Sequence, residues 1–181
     1  MKTLVTADTH FDHQNIIRYC NRPFKDKEHM NEVLVNNWNN MVSKNDVIYH
    51  LGDWGMTHQT NQIDHWSKFL NGRIIAILGQ HDKQLPSIIE WDKTKVLKYG
   101  ETFFYLIHMP YQVDRWKSWI IHGHTHNTQM EQYPFINGIR KTINVSVEMT
   151  NYKPIDLEWL LSLKLDTIKY MRTSSDKPVR F

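Results

Sequence analysis

The sequence has few of the features that mark secreted or membrane proteins. Its 181 residues contain one cysteine, Cys20, so an internal disulfide is excluded and nothing favours an oxidising compartment. The apolar run after Met1 is too short for a signal peptide, because Asp8 interrupts it. No stretch approaches the ~20 apolar residues that a membrane-spanning helix needs. We therefore expect a soluble cytoplasmic protein without a membrane partner, located in the host cytoplasm if a bacteriophage encodes it.

The chain also lacks a broad basic surface. The formal net charge is +3, and this whole excess lies in residues 164–181, so acidic and basic side chains balance over the rest. A nuclease needs a basic groove that neutralises the phosphate backbone. The charge distribution therefore argues against nucleic acid as a partner, and we interpret residues 166–181 as a basic, solvated C-terminal tail.

The hydrophobic pattern predicts one folded domain over residues 1–165. Hydrophobic residues make up 40% of the chain and charged residues 23%, which is typical of globular proteins. Short β-branched runs alternate with amphipathic helical segments in the first half, which predicts a layered α/β fold. Later strands follow one another with few helices between them, so some antiparallel pairing is expected. In residues 166–181 we expect at most a short helix with a frayed end.

Metal-binding side chains follow one predicted strand after another. The candidate donors are Asp8, His10, Asp53, Gln80, His81, His108, His124 and His126. Because the carboxyl ends of strands in layered α/β sheets are where sites assemble, we expect these side chains to converge. Taken alone, the pair His124 and His126 fits a solvated loop equally well, but five such strand ends in one chain favour a site.

The donor types indicate two divalent ions. Carboxylates, an amide and imidazoles suit borderline ions, namely manganese (expected first), iron, zinc, cobalt or nickel. The donors exceed what one ion accepts, so two ions are expected. Two metals ~3.5–4 Å apart form the type of site that clamps the attacking and leaving oxygens of phosphoryl transfer.

The order and spacing of these residues resemble a known family. The blocks are Asp8-Thr9-His10, Gly52-Asp53, Gly79-Gln80-His81-Asp82, His108 and Gly123-His124-Thr125-His126. Together they resemble the five-block signature of calcineurin-like metallophosphoesterases. Residues 21–24 are similar to small, cap-less bacterial and bacteriophage members of that family.

The resemblance implies a four-layer α-β-β-α sandwich of two mixed β-sheets flanked by helices, with a dinuclear site at one edge. It implies that the first metal is held by Asp8, His10 and His126, that Asp53 bridges, and that Gln80, His108 and His124 complete the second. A hydroxide between the two ions would attack phosphorus in line. His81 would act as general acid or stabilise the transition-state charge, and Asp82 would orient His81.

The third block departs from the family pattern. Gln80 stands where the family has asparagine, which keeps the carbonyl donor but adds a methylene group. Either the loop backbone compensates, or the second metal is held by fewer protein ligands. The sequence does not show whether this residue is natural or introduced.

Residues near the blocks are candidates for substrate binding. Arg22 could donate a bidentate pair of hydrogen bonds to a phosphate, although an ordinary ion pair is an equal alternative. Trp54 and His58 could stack on a substrate base. Tyr111 and Arg115 are expected at the rim of the site.

These features predict a metal-dependent phosphoesterase. We expect a phosphodiesterase for small nucleotide-like substrates, including cyclic nucleotides, because little chain remains for a cap or a nucleic-acid-binding domain. The alternatives are a phosphomonoesterase or protein phosphatase, then a nuclease, then a scaffold whose catalysis Gln80 impairs.

Overall fold

The computed structural model describes residues 1–56, 61–113 and 116–181, and twelve short strands form two β-sheets within these ranges. The strands are β1 (Thr3–Thr6), β2 (Val47–His50), β3 (Arg73–Ile77), β4 (Glu90–Asp92), β5 (Thr94–Tyr99), β6 (Thr102–Ile107), β7 (Trp119–His122), β8 (Ile136–Asn137), β9 (Thr142–Asn144), β10 (Ile155–Asp156), β11 (Ile168–Met171) and β12 (Val179–Arg180). The first sheet has the order β10-β1-β2-β3-β4, and the second has the order β12-β11-β8-β9-β7-β6-β5.

Both sheets are mixed. In the first sheet β1 to β4 run parallel, and β10 pairs antiparallel with β1. In the second, β6, β7 and β9 are parallel neighbours, whereas the outer pairs are antiparallel. The predicted α/β class with two mixed sheets is confirmed. The parallel strands bring their carboxyl ends to one edge, which is where the candidate donors follow.

Four α-helices lie within the described parts of the chain. They are α1 (Gln14–Tyr19), α2 (Lys27–Met41), α3 (Gln62–Trp66) and α4 (Leu157–Ser162), and α2 is the longest with 15 residues. Helix α2 begins where the sequence predicts, because the side chain of Asp26 accepts a hydrogen bond from the backbone N–H of His29 at 2.8 Å. None of the helices in the described ranges has the length and apolar character to cross a bilayer.

Two apolar layers hold the sheets and helices together. The alternation of side chains along each strand places Val5 and Ile75 between the two sheets, where they join Phe104 and Ile121. On the other face of the first sheet, Leu4 and Ile48 join the buried side of α2, represented by Leu34 and Trp38. Both faces of the first sheet are therefore buried, as is typical of a parallel sheet.

The two sheets are joined by backbone hydrogen bonds directly before the first block. The N–H of Ala7 donates to the carbonyl of Val145 at 3.0 Å, and the N–H of Val147 donates to the carbonyl of Ala7 at 3.1 Å. Asp8 follows this junction. The end of β1 is thus fixed to both sheets at the point where the candidate site begins.

The C-terminal segment differs from the expected frayed helix. Ile168–Met171 forms β11, which pairs with β8 on one side and with β12 on the other. Ile168 and Met171 are buried in the cluster between the sheets. The helix prediction for this segment is therefore wrong, because its two apolar residues reach the core only through pairing with a strand about 30 residues earlier in the chain.

We predict that Ile168→Ala lowers the free energy of unfolding by about 2–5 kcal/mol, as expected for truncation of a buried aliphatic side chain. The adjacent exposed residue supplies the control, because Lys169→Ala should change stability by less than about 0.5 kcal/mol. Urea denaturation of both variants measures the difference. Equal stability of the two variants would show that β11 does not contribute to the core.

Candidate functional site

Six of the predicted donors meet at the carboxyl edge of the strands. They form two groups, and within each group the candidate ligand atoms lie within 4.8 Å of one another. The first group is Asp8, His10 and His126, and the second is Asp53, His108 and His124. The first group is the ligand set that the family resemblance implies for the first metal. The second group contains two of the three ligands implied for the second metal, His108 and His124, together with the implied bridging residue Asp53 but without Gln80.

Asp53 lies between the two groups. Its Oδ2 is 3.6 Å from His10 Nε2 and 3.4 Å from His108 Nε2. His108 also approaches the first group, with Nδ1 4.0 Å from Asp8 Oδ1. The position of the Asp53 carboxylate fits the bridging role that the resemblance implies.

Hydrogen bonds hold the outer nitrogens of two imidazoles. His108 Nδ1 lies 2.8 Å from the carbonyl of Leu51, and since a carbonyl only accepts, Nδ1 must carry the proton. His126 Nδ1 lies 3.0 Å from Glu148 Oε1. Both arrangements leave Nε2 directed toward the cluster, which is how metal-binding histidines are usually held.

Three of the imidazole nitrogens that face the cluster are buried without a hydrogen-bond partner among the described residues. These buried atoms are His10 Nε2, His108 Nε2 and His124 Nδ1. Leaving a buried polar atom unpaired costs about 1–3 kcal/mol, and one divalent cation in each group would satisfy all three. The donor set of carboxylate oxygens and imidazole nitrogens suits borderline divalent ions, so the residues fit the metals that the sequence predicts.

The carboxylates and imidazoles perturb one another's protonation. Burial raises the pKa of Asp8 to about 6. Burial alone would lower the pKa of His108, but Asp53 and Asp8 raise it to about 9. Burial likewise opposes ionisation of Asp53, yet the neighbouring His108 ring, whose Nε2 lies 3.4 Å from Oδ2, holds the pKa of Asp53 well below the usual range. Metal binding to such a site is coupled to proton release.

Most of the donors occupy the left-handed region of backbone conformation. The φ angles are 59° for Asp8, 50° for His10, 59° for Asp53, 70° for His124 and 47° for His126. Such conformations cost about 1–3 kcal/mol each in residues other than glycine, and they cluster at functional sites. The chain therefore turns sharply after β1, β2 and β7, and each of these turns directs donors into the cluster.

Two motif glycines allow the carboxylates to pack against neighbouring loops. A Cβ atom on Gly79 would collide with Oδ1 and the backbone nitrogen of Asp53. A Cβ atom on Gly123 would collide with Oδ2 of Asp8 at 2.5 Å. Both glycines are therefore required for close approach to a candidate ligand.

The carboxylate of Asp82 holds two loops together. It accepts hydrogen bonds from the backbone N–H groups of Asp53 and Gly79 at 2.8 Å, and of Trp54 at 2.9 Å. These three partners are backbone groups and not the ring of His81, so the role of orienting His81 stays a prediction. Asp82 positions Asp53 through the hydrogen bond from the Asp53 backbone N–H.

Gln80 and His81 lie at the rim of the cluster. The backbone N–H of His81 donates to Asp53 Oδ1 at 3.0 Å, and its ring Nε2 lies 3.9 Å from Asp53 Oδ2. The exposed side chain of Gln80 bonds to the same ring, with 3.2 Å between Gln80 Nε2 and His81 Nε2. The amide is thus paired with His81 in this conformation, and its role as a metal ligand stays a prediction.

Two predicted substrate-binding residues are buried. The Arg22 guanidinium is fully enclosed and bonds to Glu148 and to backbone carbonyls, so it has no face for a substrate phosphate. Trp54 is 0% exposed and stacks on His50, with 4.0 Å between the ring centroids. The predicted contacts of both residues with substrate are therefore wrong, because tertiary packing encloses them.

Tyr111 lies at the rim, as predicted. Its side chain is exposed, and its hydroxyl lies 2.9 Å from His124 Nε2. This contact leaves His124 Nδ1 facing the cluster. The role of Tyr111 in substrate binding stays a prediction, while His58 and Arg115 lie outside the described residues.

Sequence reasoning missed Glu148. Its side chain is 2% exposed and contacts both Arg22 and His126. The available signal was a lone acidic residue between the apolar residues Val147 and Met149, at the end of a predicted strand. A charge in such a position is buried only when it is paired.

Comparison with known proteins is consistent with this geometry. The model of the calcineurin-like phosphoesterase superfamily domain matches residues 1–145. The chain belongs to this superfamily. It is accordingly a hydrolase that acts on phosphate esters and depends on divalent metal ions.

Similar proteins occur in archaea, bacteria and bacteriophages. An uncharacterized protein of Methanocaldococcus jannaschii is 43% identical over 179 residues, covering 97% of each chain. The gene 66 protein of Mycobacterium phage L5 is 29% identical, covering 69% of this chain and 77% of its own. The crystal structure of an Aquifex aeolicus protein of unknown function is 26% identical with a TM-score of 0.68, covering 90% of this chain and 98% of that one.

We predict that Gln80→Asn preserves or raises occupancy of the second metal position. Asparagine keeps the carbonyl donor and shortens the side chain by one methylene group, so it no longer reaches as far along the His81 ring. Titration of the metal-free protein with Mn²⁺ or Zn²⁺ measures both occupancies. Lower occupancy in the variant than in the unmodified protein would contradict this prediction.

Proposed function

We propose that the protein is a phosphodiesterase that hydrolyses small nucleotide-like substrates, with cyclic nucleotides among them. The observation that carries the proposal is the convergence of six donors, among which three inward nitrogens lack hydrogen-bond partners among the described residues. We further propose manganese as the physiological ion and the cytoplasm as the compartment, the latter in keeping with the single cysteine.

The proposal assigns one metal to each group of donors. Asp8, His10 and His126 would hold the first ion, His108 and His124 with Gln80 would hold the second, and Asp53 would contact both. When bound, the two ions would supply the Lewis acidity that activates water and neutralises charge on the phosphate.

His81 is the residue best placed to act on the leaving group. Its ring is 36% exposed, so it faces solvent as well as the Asp53 carboxylate. A proton held at Nε2 would be donated to the ester oxygen as the bond to phosphorus breaks. Gln80 Nε2 lies 3.2 Å from the same nitrogen, and since an amide nitrogen only donates, the amide must turn its oxygen toward Nε2 or move away when Nε2 carries the proton.

A cleft beside the second group supports the proposal that the substrate is an ester of a bulky alcohol. Its volume is about 510 Å³, within the range of small-molecule sites. The apolar side chains of Leu78, Ile107 and Met109 line it, together with Lys93 and Gln112. Apolar walls with a few polar groups suit a nucleoside, and the cleft directly adjoins Gln80 and His108, so a second ester group has space there.

The same metal chemistry serves a phosphomonoesterase, which is the main alternative. No feature of the described residues selects a monoester specifically, whereas the cleft provides room that a monoester of a small alcohol does not need. A nuclease is disfavoured because charge balances outside residues 164–181. A scaffold without activity is disfavoured because all six donors and His81 are in place.

We predict that the protein with Mn²⁺, Ni²⁺ or Co²⁺ hydrolyses bis(p-nitrophenyl) phosphate and 2′,3′-cyclic nucleotides faster than p-nitrophenyl phosphate. His81→Ala should lower kcat by roughly 10²–10⁴-fold, the usual contribution of a general acid, while two metals remain bound. Replacement of an exposed helical histidine, His65→Ala, is the control and should leave kcat unchanged.

The outcomes separate the alternatives. Faster hydrolysis of the monoester would favour a phosphomonoesterase. Absence of turnover with every metal, in protein that binds two ions, would contradict the enzymatic proposal.

The cleft can be tested by filling it. Thr94 lines the cleft near the start of β5, and Val96 lies two residues further along the same strand in an exposed position. We predict that Thr94→Trp raises KM severalfold for cyclic nucleotides and leaves KM for methyl p-nitrophenyl phosphate unchanged, whereas Val96→Trp changes neither. An unchanged KM for nucleotides in Thr94→Trp would show that substrate binds elsewhere.

A further inference from the structure

A buried ion pair lies behind the first group of donors. The guanidinium of Arg22 donates to Glu148 Oε1 from Nε at 2.9 Å and from Nη2 at 2.7 Å. Their side chains are 0% and 2% exposed. Arg22 belongs to the 21–24 stretch, and Glu148 lies beyond the residues that the family model matches, so neither belongs to the five blocks.

Arg22 also holds the backbone of the first block. Its Nη1 donates to the carbonyl of Thr9 and its Nη2 to the carbonyl of Asp8, each at 2.8 Å. Both carbonyls belong to the left-handed turn that directs Asp8 and His10 inward. One guanidinium therefore fixes the segment that carries two donors of the first group.

Glu148 holds the third donor of that group. Its Oε1 lies 3.0 Å from His126 Nδ1, and the opposite ring nitrogen, Nε2, lies 4.0 Å from Asp8 Oδ1. A carboxylate that accepts the Nδ1–H of a histidine leaves the Nε2 lone pair free for a metal and fixes the ring plane. Glu148 thus connects Arg22 to the remaining donor.

We propose that Arg22 and Glu148 are positioning residues for the first metal. Glu148 sets the tautomer and orientation of His126, and Arg22 holds both Glu148 and the backbone of Asp8. Through this pair, all three donors of the first group are supported by one buried network. The proposal rests on the proposed function in one respect, namely that the first group binds a divalent ion.

The same carboxylate offers a competing arrangement. Candidate ligand atoms of Cys20, His126 and Glu148 also lie within 4.8 Å of one another, so a cation could in principle sit among them. The Arg22 guanidinium argues against it, because it already places a positive group 2.7 Å from Glu148 Oε1. The two arrangements make opposite predictions for removal of the Arg22 charge.

The test compares Glu148→Gln and Arg22→Met with the unmodified chain. Metal-free protein is titrated with Zn²⁺ in competition with a chromophoric chelator, which gives the number of ions and the affinity of each. The ¹⁵N signals of the His126 ring in the zinc-loaded protein report which nitrogen is bound to metal. Asp46→Asn is the matched control, since Asp46 is a buried carboxylate at the opposite end of β2 that accepts backbone hydrogen bonds.

We expect each variant to lower the affinity for the first ion by about tenfold to a hundredfold, the usual effect of removing a partner of a metal-binding histidine. The second ion should keep its affinity. In the double variant, the affinity for the first ion should fall by less than the product of the two single-variant effects, because the residues act as a pair. Asp46→Asn should bind both ions as the unmodified protein does.

Three results would overturn the proposal. One is wild-type affinity for both ions in Glu148→Gln with an unchanged His126 signal. Another is tighter binding in Arg22→Met, or loss of one ion in Cys20→Ser, either of which would favour the competing arrangement. The third is an equal loss of affinity for both ions, which would indicate a general structural defect.

Failure of the premise that the first group binds a divalent ion gives a different result, because the unmodified protein would then bind fewer than two ions, whereas failure of catalysis alone leaves two ions bound and turnover absent. If Glu148→Gln does not fold, Glu148→Asp replaces it. That variant keeps the charge but retracts the carboxylate from His126, so the same selective loss of the first ion is expected.

Discussion

Two carboxylates and four imidazoles are held together in a largely buried space, and most other features of the site follow from the need to keep them there. Without a cation, three inward nitrogens lack hydrogen-bond partners among the described residues, and burial together with the neighbouring imidazoles shifts the pKa values of Asp8 and Asp53. Left-handed turns direct the donors inward, while Gly79 and Gly123 leave the space that the carboxylates need. The energy stored in this arrangement is what metal binding would release.

The two halves of the site are supported differently. The first group is backed by the buried Arg22–Glu148 pair, whereas the second is bordered by the exposed side chains of Tyr111 and Gln80. The cleft also adjoins the second group. A site built in this way has one rigid, enclosed half and one half open to solvent, so differences in substrate preference among relatives would arise mainly on the open side.

The sequence is sufficient to predict the convergence of the donors, because that prediction depends only on which residues follow strands. It fails where a role depends on burial by distant parts of the chain. Arg22 and Glu148 are 126 positions apart, so neither pattern nor spacing indicates that they pair. Trp54 follows a donor and looks exposed in sequence, yet packing against His50 encloses it. The sequence also does not predict strand β11, because its apolar pattern is short and the strand forms by pairing with the distant β8.

The backbone junction at Ala7 has a consequence for how the enzyme loses and takes up metal ions. Hydrogen bonds join the two sheets at the residue before Asp8, and Ala7, Val145 and Val147 are not candidate metal ligands, so this junction needs no cation. Loss of metal would loosen turns at the strand ends while the amides of Ala7 and Val147 stay protected until the whole domain unfolds. Emptying and refilling of the site would then be local events at the strand ends that leave the junction between the sheets intact.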